Sequence, residues 1–310
     1  MTDSIAERHA ALLRNEFAAL RDDADRLGVS LSAGLTVERA EIPADSGGIV
    51  SYLAWSGRAP AVTFLHGGGL NAHSWDSAVL SLGAAAIVPD LPGHGESSWR
   101  DNFDYAPATI APLIARLLRD RGTGPFPVVG HSMGALTAVQ LAADFPELVS
   151  SLVVVDITPS RKPTPNSERI RQFIRGQDSF TDYEEIIALA VTTGMGRDRR
   201  GLERGIILNT RRRADGRLVF KHHFASAPPD ANAYSQDIRY LWPALEDLRI
   251  PVLLVRGTRG IVDEAQAAEF RQRVPAGAVV ELDAGHNVQR DAPVELARAI
   301  AAHIGITAAA

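Results

Sequence analysis

Hydrophobic and polar positions change their spacing along this chain, and each change predicts a different element. From Ser4 to about Leu27, the residues Ile5, Leu12, Leu13, Phe17, Leu20 and Leu27 fall on one stripe at helical spacing. Ser4 with Glu7 three residues later is a capping-box pattern, so one N-terminal helix is expected. It would pack on the rest of the chain or, alternatively, against a second copy. Leu35–Ile42 and Ile49–Trp55, separated by Pro43-Ala44-Asp45-Ser46-Gly47-Gly48, predict an antiparallel hairpin. From Val62 onward short apolar runs alternate with helix-compatible ones. The runs are Val62–Leu65, Ala86–Val88, Pro127–Val129, Leu152–Val155, Val252–Val255 and Val279–Leu282. Helices are expected near Trp75–Leu82, Thr109–Asp120, Ala135–Phe145, Asp263–Val274 and Val294–His303. Strands apolar throughout, each joined to the next by a helix, predict an α/β fold with a mostly parallel sheet covered on both faces. Ligands of such sheets bind beyond the carboxyl ends of the strands.

Between Ile157 and Arg249 the alternation stops. Helical stretches are expected at Glu168–Arg175, Tyr183–Val191 and Arg200–Leu208, with no core strand among them. This segment holds 16 of the 32 Lys and Arg residues and 12 of the 37 Asp and Glu, a formal surplus of +4 against −9 for the remainder. Arg211-Arg212-Arg213 is its densest cluster. Such clusters are commonly solvated helix faces; the alternative is a surface that attracts an anionic, carboxylate-bearing substrate.

Composition narrows the chemistry. A hydrophobic share of 45% and a charged share of 22% describe an ordinary globule with a sizeable core. A net charge of −5 gives no general attraction to nucleic acid. The absence of cysteine excludes disulfides, thiolate nucleophiles and Cys-type zinc sites. The N-terminus carries Asp3, Glu7, Arg8, Arg14 and Glu16 with no unbroken apolar stretch, and no membrane span is visible, so a cytoplasmic location is expected.

The chemistry centres on Gly130-His131-Ser132-Met133-Gly134, which lies between an apolar strand and a helix. A turn this sharp needs glycine two residues to either side, where a Cβ would collide with the neighbouring strand or helix. It thrusts the Ser132 hydroxyl out of the sheet, toward the free N–H groups of the following helix. No His spacing of the H-E-x-x-H kind is present, so no metal is expected. The glycine run at 67–69 is followed by no Gly-Lys-Ser/Thr, and no dinucleotide fingerprint is present. No cofactor is expected.

In these residues the chain resembles the α/β-hydrolase superfamily. Three further stretches fit it in order: His66-Gly67-Gly68-Gly69, Asp90-Leu91-Pro92-Gly93-His94-Gly95-Glu96-Ser97, and Gly285-His286. The resemblance implies an oxyanion loop, a tight turn beside it and a catalytic histidine loop. It also implies a helical lid inserted after the sixth strand. The expected organisation is an N-terminal extension over 1–34, a hydrolase core over 35–156 and 250–310, and a cap over 157–249. Ser132 is then the nucleophile and His286 the base, in the chain order Ser…acid…His. The backbone N–H groups of Met133 and Gly68 are the oxyanion donors, with Gly69, His131 and Trp242 as substrate-contacting candidates. His131 is expected to point away from Ser132, His66 to brace its loop, and His222-His223 to lie in the lid. The acid departs from the family pattern. Gly260 and Ile261 stand where a carboxylate after the seventh strand is usual, which leaves Asp156 or Asp263; the latter has the look of a helix N-cap completed by Gln266.

The resemblance implies a serine hydrolase of ester, amide or thioester bonds in a small, possibly anionic, acyl substrate. Carbon–carbon bond hydrolysis of an acidic ring-cleavage product is the second enzymatic expectation, although Leu70-Asn71 departs from that group's continuation. Epoxide hydrolases and haloalkane dehalogenases carry aspartate where Ser132 stands. A non-catalytic ligand receptor on the same fold is the alternative of another class. A monomer or homodimer is expected, with no nucleic-acid or membrane partner.

Overall fold

The structure is a computed structural model of the 310-residue chain, described here for all residues except 1–4, 30–34, 45–46, 58–59, 161, 163, 176, 194–198, 228–236 and 310. Eight strands form one sheet: β1 Val37–Pro43, β2 Ile49–Trp55, β3 Val62–Leu65, β4 Ala86–Pro89, β5 Phe126–His131, β6 Val149–Val155, β9 Val252–Gly257 and β10 Gly277–Leu282. Their order is β1-β2-β4-β3-β5-β6-β9-β10. Pairs β1–β2 and β2–β4 are antiparallel and the others parallel. The α/β-hydrolase fold expected from the sequence is the fold observed.

Alternation along the central strands splits the interior into two layers. Leu152 and Val154 of β6 and Val252 and Leu254 of β9 face one core. Their neighbours Val153, Val155, Leu253 and Val255 face the other. The first layer is filled by α4 (Pro107–Arg121), α5 (Met133–Asp144), α9 (Leu241–Asp247) and α10 (Glu264–Arg273). The second is filled by α2 (Leu20–Leu27), α3 (Asp76–Leu82) and α12 (Pro293–Ile304), with the short α11 (Val288–Asp291) leading into α12. Burial on both faces is why these strands read as unbroken apolar runs.

The N-terminal stretch differs from the single helix expected. It is two helices, α1 (Ile5–Arg14) and α2, separated at Asn15, whose side chain accepts a hydrogen bond from the Phe17 N–H at 3.0 Å. A local side-chain acceptor of this kind competes with helix continuation. Leu13, expected on the buried stripe, is 62% exposed. Ser4 of the expected capping box lies outside the described residues. Leu12 packs on Ile207 and Leu208, while Leu20 and Ala24 join the second core layer.

Between β6 and β9 the chain forms α6 (Pro165–Arg175), α7 (Tyr183–Thr192), α8 (Arg199–Leu208) and a two-stranded hairpin, β7 (Thr210–Arg212) and β8 (Leu218–Phe220). The hairpin was not anticipated, because three-residue strands are too short to show a period. Phe180, Ile186, Ile187, Leu202, Ile206 and Phe220 give this insertion a small core of its own. Helix α9 belongs elsewhere: Leu241, Trp242 and Leu245 join the main core beside α5. No helix among the described residues is long and apolar enough to cross a membrane.

Candidate active site

From β3 the chain runs to β4 on one side and later to β5 on the other, so the loops after β3 and β5 part at the carboxyl edge of the sheet. A crevice at such a switch point is where α/β sheets bind ligands. Ser132 alone separates β5 from α5, at φ 51° and ψ −117°. A side chain in that conformation is strained, and only surrounding packing holds it there. A Cβ at Gly130 would run into the backbone of Gly134 and Ala135, and one at Gly134 into the carbonyls of Leu65 and His66. The two glycines therefore let β3, β5 and α5 converge on Ser132. The hydroxyl-bearing residue is half-buried and lines a cleft that opens to solvent.

The structure brings Asp156 and His286 together. Asp156 is fully buried just past β6, with its own positive φ of 49°. Its Oδ2 lies 2.8 Å from His286 Nδ1 and accepts from the Ile261 N–H at 2.8 Å, while Oδ1 accepts from the Gly257 N–H at 3.1 Å. Two backbone donors and one imidazole N–H satisfy the carboxylate, the bonding that an ionised acid requires when buried. Gly260 matters here because a Cβ would overlap the Asp156 carboxylate. The carboxylate that meets His286 thus comes from the strand neighbouring β9, and the β9 loop carries glycine where that carboxylate lies. Asp263 is not brought to His286; it is exposed at the N-terminus of α10, where its Oδ1 accepts from Gln266 N–H at 2.8 Å in a complete capping box.

The loop after β3 is pinned by two histidines in a reciprocal arrangement. His66 Nε2 accepts from the Leu91 N–H at 2.9 Å, and its Nδ1 donates to the Gly67 carbonyl at 2.8 Å. In return His94 Nε2 accepts from the Gly69 N–H at 3.0 Å, and its Nδ1 faces the Pro92 carbonyl at 3.1 Å. Burial pushes His66 down to about 4 and holds His94 well below the usual imidazole range, so both rings stay neutral and can accept. Gly69 N–H is thereby engaged. The amides of Gly68 and Met133, which border the same cleft, donate to no acceptor among the described residues.

Of the two side-chain candidates for substrate contact, His131 and Trp242, only the first borders the cleft. The His131 ring borders the cleft, but its Nε2 donates to the His286 carbonyl at 2.9 Å and its Nδ1 faces Gln289 Nε2 at 3.4 Å. It ties the Ser132 turn to the His286 loop. Trp242 does not border the cleft: it is 2% exposed, its Nε1 donates to Ser160 Oγ at 2.9 Å, and Arg273 lies over its ring at 4.2 Å. The apolar spacing of α9 turns Leu241 and Trp242 into the core, which removes Trp242 as a substrate contact. His222 and His223 do not border this cleft; His222 stacks on Phe220 at 4.8 Å, and His223 Nδ1 meets the Tyr105 hydroxyl at 2.7 Å. Arg211, Arg212 and Arg213 are exposed on the hairpin: Arg211 lies over Trp99, Arg212 donates to the Gly216 carbonyl, and Arg213 pairs with Asp215. None of them borders the cleft.

Three residues with no sequence signal shape the site. Asn209 Nδ2 donates to the Gly69 carbonyl at 2.7 Å, and Asn71 Nδ2 donates to the Leu208 carbonyl at 3.1 Å, so the end of α8 is fastened to the loop after β3. Gln289 Nε2 faces His131 Nδ1, which is left as an acceptor because Nε2 donates to the His286 carbonyl. Asn209 lies 140 residues from Gly69, beyond the reach of any local pattern.

This arrangement defines the class: the chain belongs to the alpha/beta hydrolase family, whose family model matches residues 64–299. It is 36% identical over 297 residues to the esterase Rv0045c of Mycobacterium tuberculosis, covering 92% of this chain and 95% of that protein. A crystal structure of that esterase superposes with a TM-score of 0.76 over 93% of this chain and 97% of its own. The 2-(acetamidomethylene)succinate hydrolase of Mesorhizobium japonicum is 28% identical over 263 residues, 83% of this chain and 92% of the relative. A crystal structure of E-2-(acetamidomethylene)succinate hydrolase superposes with a TM-score of 0.77 at 26% identity, covering 87% of this chain and all of that one.

Proposed function

We infer that this protein is a serine hydrolase that cleaves ester bonds of small acyl substrates through an acyl-enzyme. The observation that carries the reading is the buried Asp156–His286 contact at 2.8 Å, beside a cleft that also exposes strained Ser132. In this reading Asp156 holds Nδ1–H of His286, leaving Nε2 free to take the Ser132 proton as Oγ attacks the ester carbonyl. The Gly68 and Met133 amides receive the oxyanion. His286 then returns the proton to the departing alkoxide. Water repeats the sequence on the acyl-enzyme, releasing the acid and restoring Ser132.

An ester is favoured because the relative that covers nearly the whole chain is named an esterase. A neutral acyl group is favoured over an anionic one by the walls, which include Leu136, Ile157, Ile170, Ile174, Ile238 and Ile261. The one arginine among the described residues of that wall, Arg171, is paired with Glu168 at 3.1 Å. Ser132→Ala should lower kcat on a short-chain ester by roughly 10⁴-fold or more and abolish labelling by an alkyl phosphonate, with the melting temperature unchanged. Retained turnover without labelling would remove Ser132 from the chemistry.

A further inference from the structure

A second cleft lies on the far side of the loop after β3 and meets the first at Gly69, Leu70, Phe173 and Asn287. Leu70, Phe173, Leu202, Ile206 and Phe220 give it an apolar wall. Its charged side chains are all engaged: Arg26 with Asp23 at 2.8 Å, Arg204 with Asp23 and Asp76, Arg290 with Asp291 at 3.1 Å, and His73 with Asp76 and Glu16. No charge is left over for an ionic ligand, among the described residues, so the space suits a neutral group.

The helix that roofs this cleft carries a glycine whose presence neither backbone nor packing requires. Gly205 lies inside α8 with an ordinary negative φ, and a Cβ there would meet nothing within 4 Å. Glycine inside a helix weakens it relative to alanine. What the missing side chain provides is room, because Gly205 borders the cleft.

We propose that this cleft is a substrate subsite: it takes a neutral, largely aliphatic arm of the ester, remote from the bond that Ser132 attacks. The proposal rests on the serine-hydrolase reading for the placement of that bond, and binding can be measured without turnover. Gly205→Leu fills the space from an unstrained position, and its melting temperature should equal or exceed that of the parent. The probes are non-hydrolysable ether analogues of an ester: one with a methyl arm, and one with a ten-carbon arm on either side of the linkage. Calorimetry on Ser132→Ala should show the long-armed analogues binding more tightly than the methyl one. Adding Gly205→Leu should weaken the long-armed analogues by at least about tenfold, since several methylenes lose their apolar surroundings, and leave the methyl analogue unchanged. Equal binding of long and short arms, or indifference of the long arms to Gly205→Leu, would overturn the subsite. Failure of the protein with Ser132 intact to hydrolyse short esters would instead sink the functional reading and leave these binding results standing.

Discussion

At Gly260 a hydrogen atom decides whether the Asp156 carboxylate can sit against His286. Any larger group would enter the space filled by the Asp156 carboxylate, which is held by the Gly257 and Ile261 amides and by His286. Gly260→Ala should therefore displace the carboxylate and lower kcat by roughly tenfold, with little change in KM, because the imidazole loses part of its orientation. Asp156→Asn should cost at least about 10²-fold in kcat, since an amide cannot hold the same tautomer or stabilise an imidazolium. Asp263→Asn is expected to be almost silent in kinetics and stability, as asparagine caps a helix about as well as aspartate. Steady-state kinetics on one short ester across the three variants checks all of this. A larger loss for Asp263→Asn than for Asp156→Asn would move the acid.

At the scale of the element, the loop after β3 is held from two sides. His66 and His94 bind it to the turn after β4, and Asn209 binds the Gly69 carbonyl from the insertion. Asn209→Ala should lower kcat by roughly tenfold with KM nearly constant, because the Gly68 amide loses its fixed direction rather than the substrate its walls. The histidine brace gives a pH dependence of definite sign. Burial puts folded His66 at about 4, below its ordinary value of 6.5, so the unfolded chain takes up the proton first as pH falls. Its contribution to stability is complete above about pH 6.5 and is lost progressively toward pH 4. His66→Gln, compared with the parent by chemical denaturation between pH 6.5 and 4, should show a shallower decline, by up to about 1.4 kcal/mol per pH unit. Parallel curves would mean that His66 is not the group responsible.

On the scale of the molecule, a chain of buried charges joins the N-terminal extension, the core and the insertion. Arg204 of α8 pairs with Asp23 of α2 at 3.0 Å and with Asp76 of α3; Asp76 meets His73 Nδ1 at 2.8 Å, and His73 Nε2 meets Glu16 at 3.0 Å. Arg39 of β1 continues it, between Glu16 at 2.8 Å and Asp90 at 2.7 Å. Burial alone would raise the Glu16 carboxyl, but hydrogen bonds from His73 and Arg39 outweigh it and bring the group down to about 2. For His73 burial works downward and is outweighed by Asp76 and Glu16, which hold the ring above its ordinary value. Removing one member leaves others buried without compensation. Arg204→Met should therefore cost about 3 kcal/mol in urea denaturation. Asp22→Ala, which breaks only the exposed Asp22–Arg200 pair, should cost less than about 1 kcal/mol. Similar losses in the two variants would show that the buried chain does not fasten the three parts together.

The sequence by itself determined the elements and the turn. Apolar runs such as Leu152–Val155 are periodic over their own length, and the glycines flanking Ser132 are a local steric requirement, so both were legible without a third dimension. Only the tertiary structure shows that Asp156, and not Asp263, lies against His286. Each has an acceptable local context, and what separates them is a space at Gly260, 104 residues from Asp156 in the chain. The break at Asn15, the inward turn of Trp242 and the fastening of Gly69 by Asn209 were illegible for the same reason. In each, the outcome depends on which surface the residue meets, and amphipathic spacing tells a helix which face to bury without telling it against what. Local pattern fixed the positions of the functional groups along the chain; packing between distant segments fixed their partners.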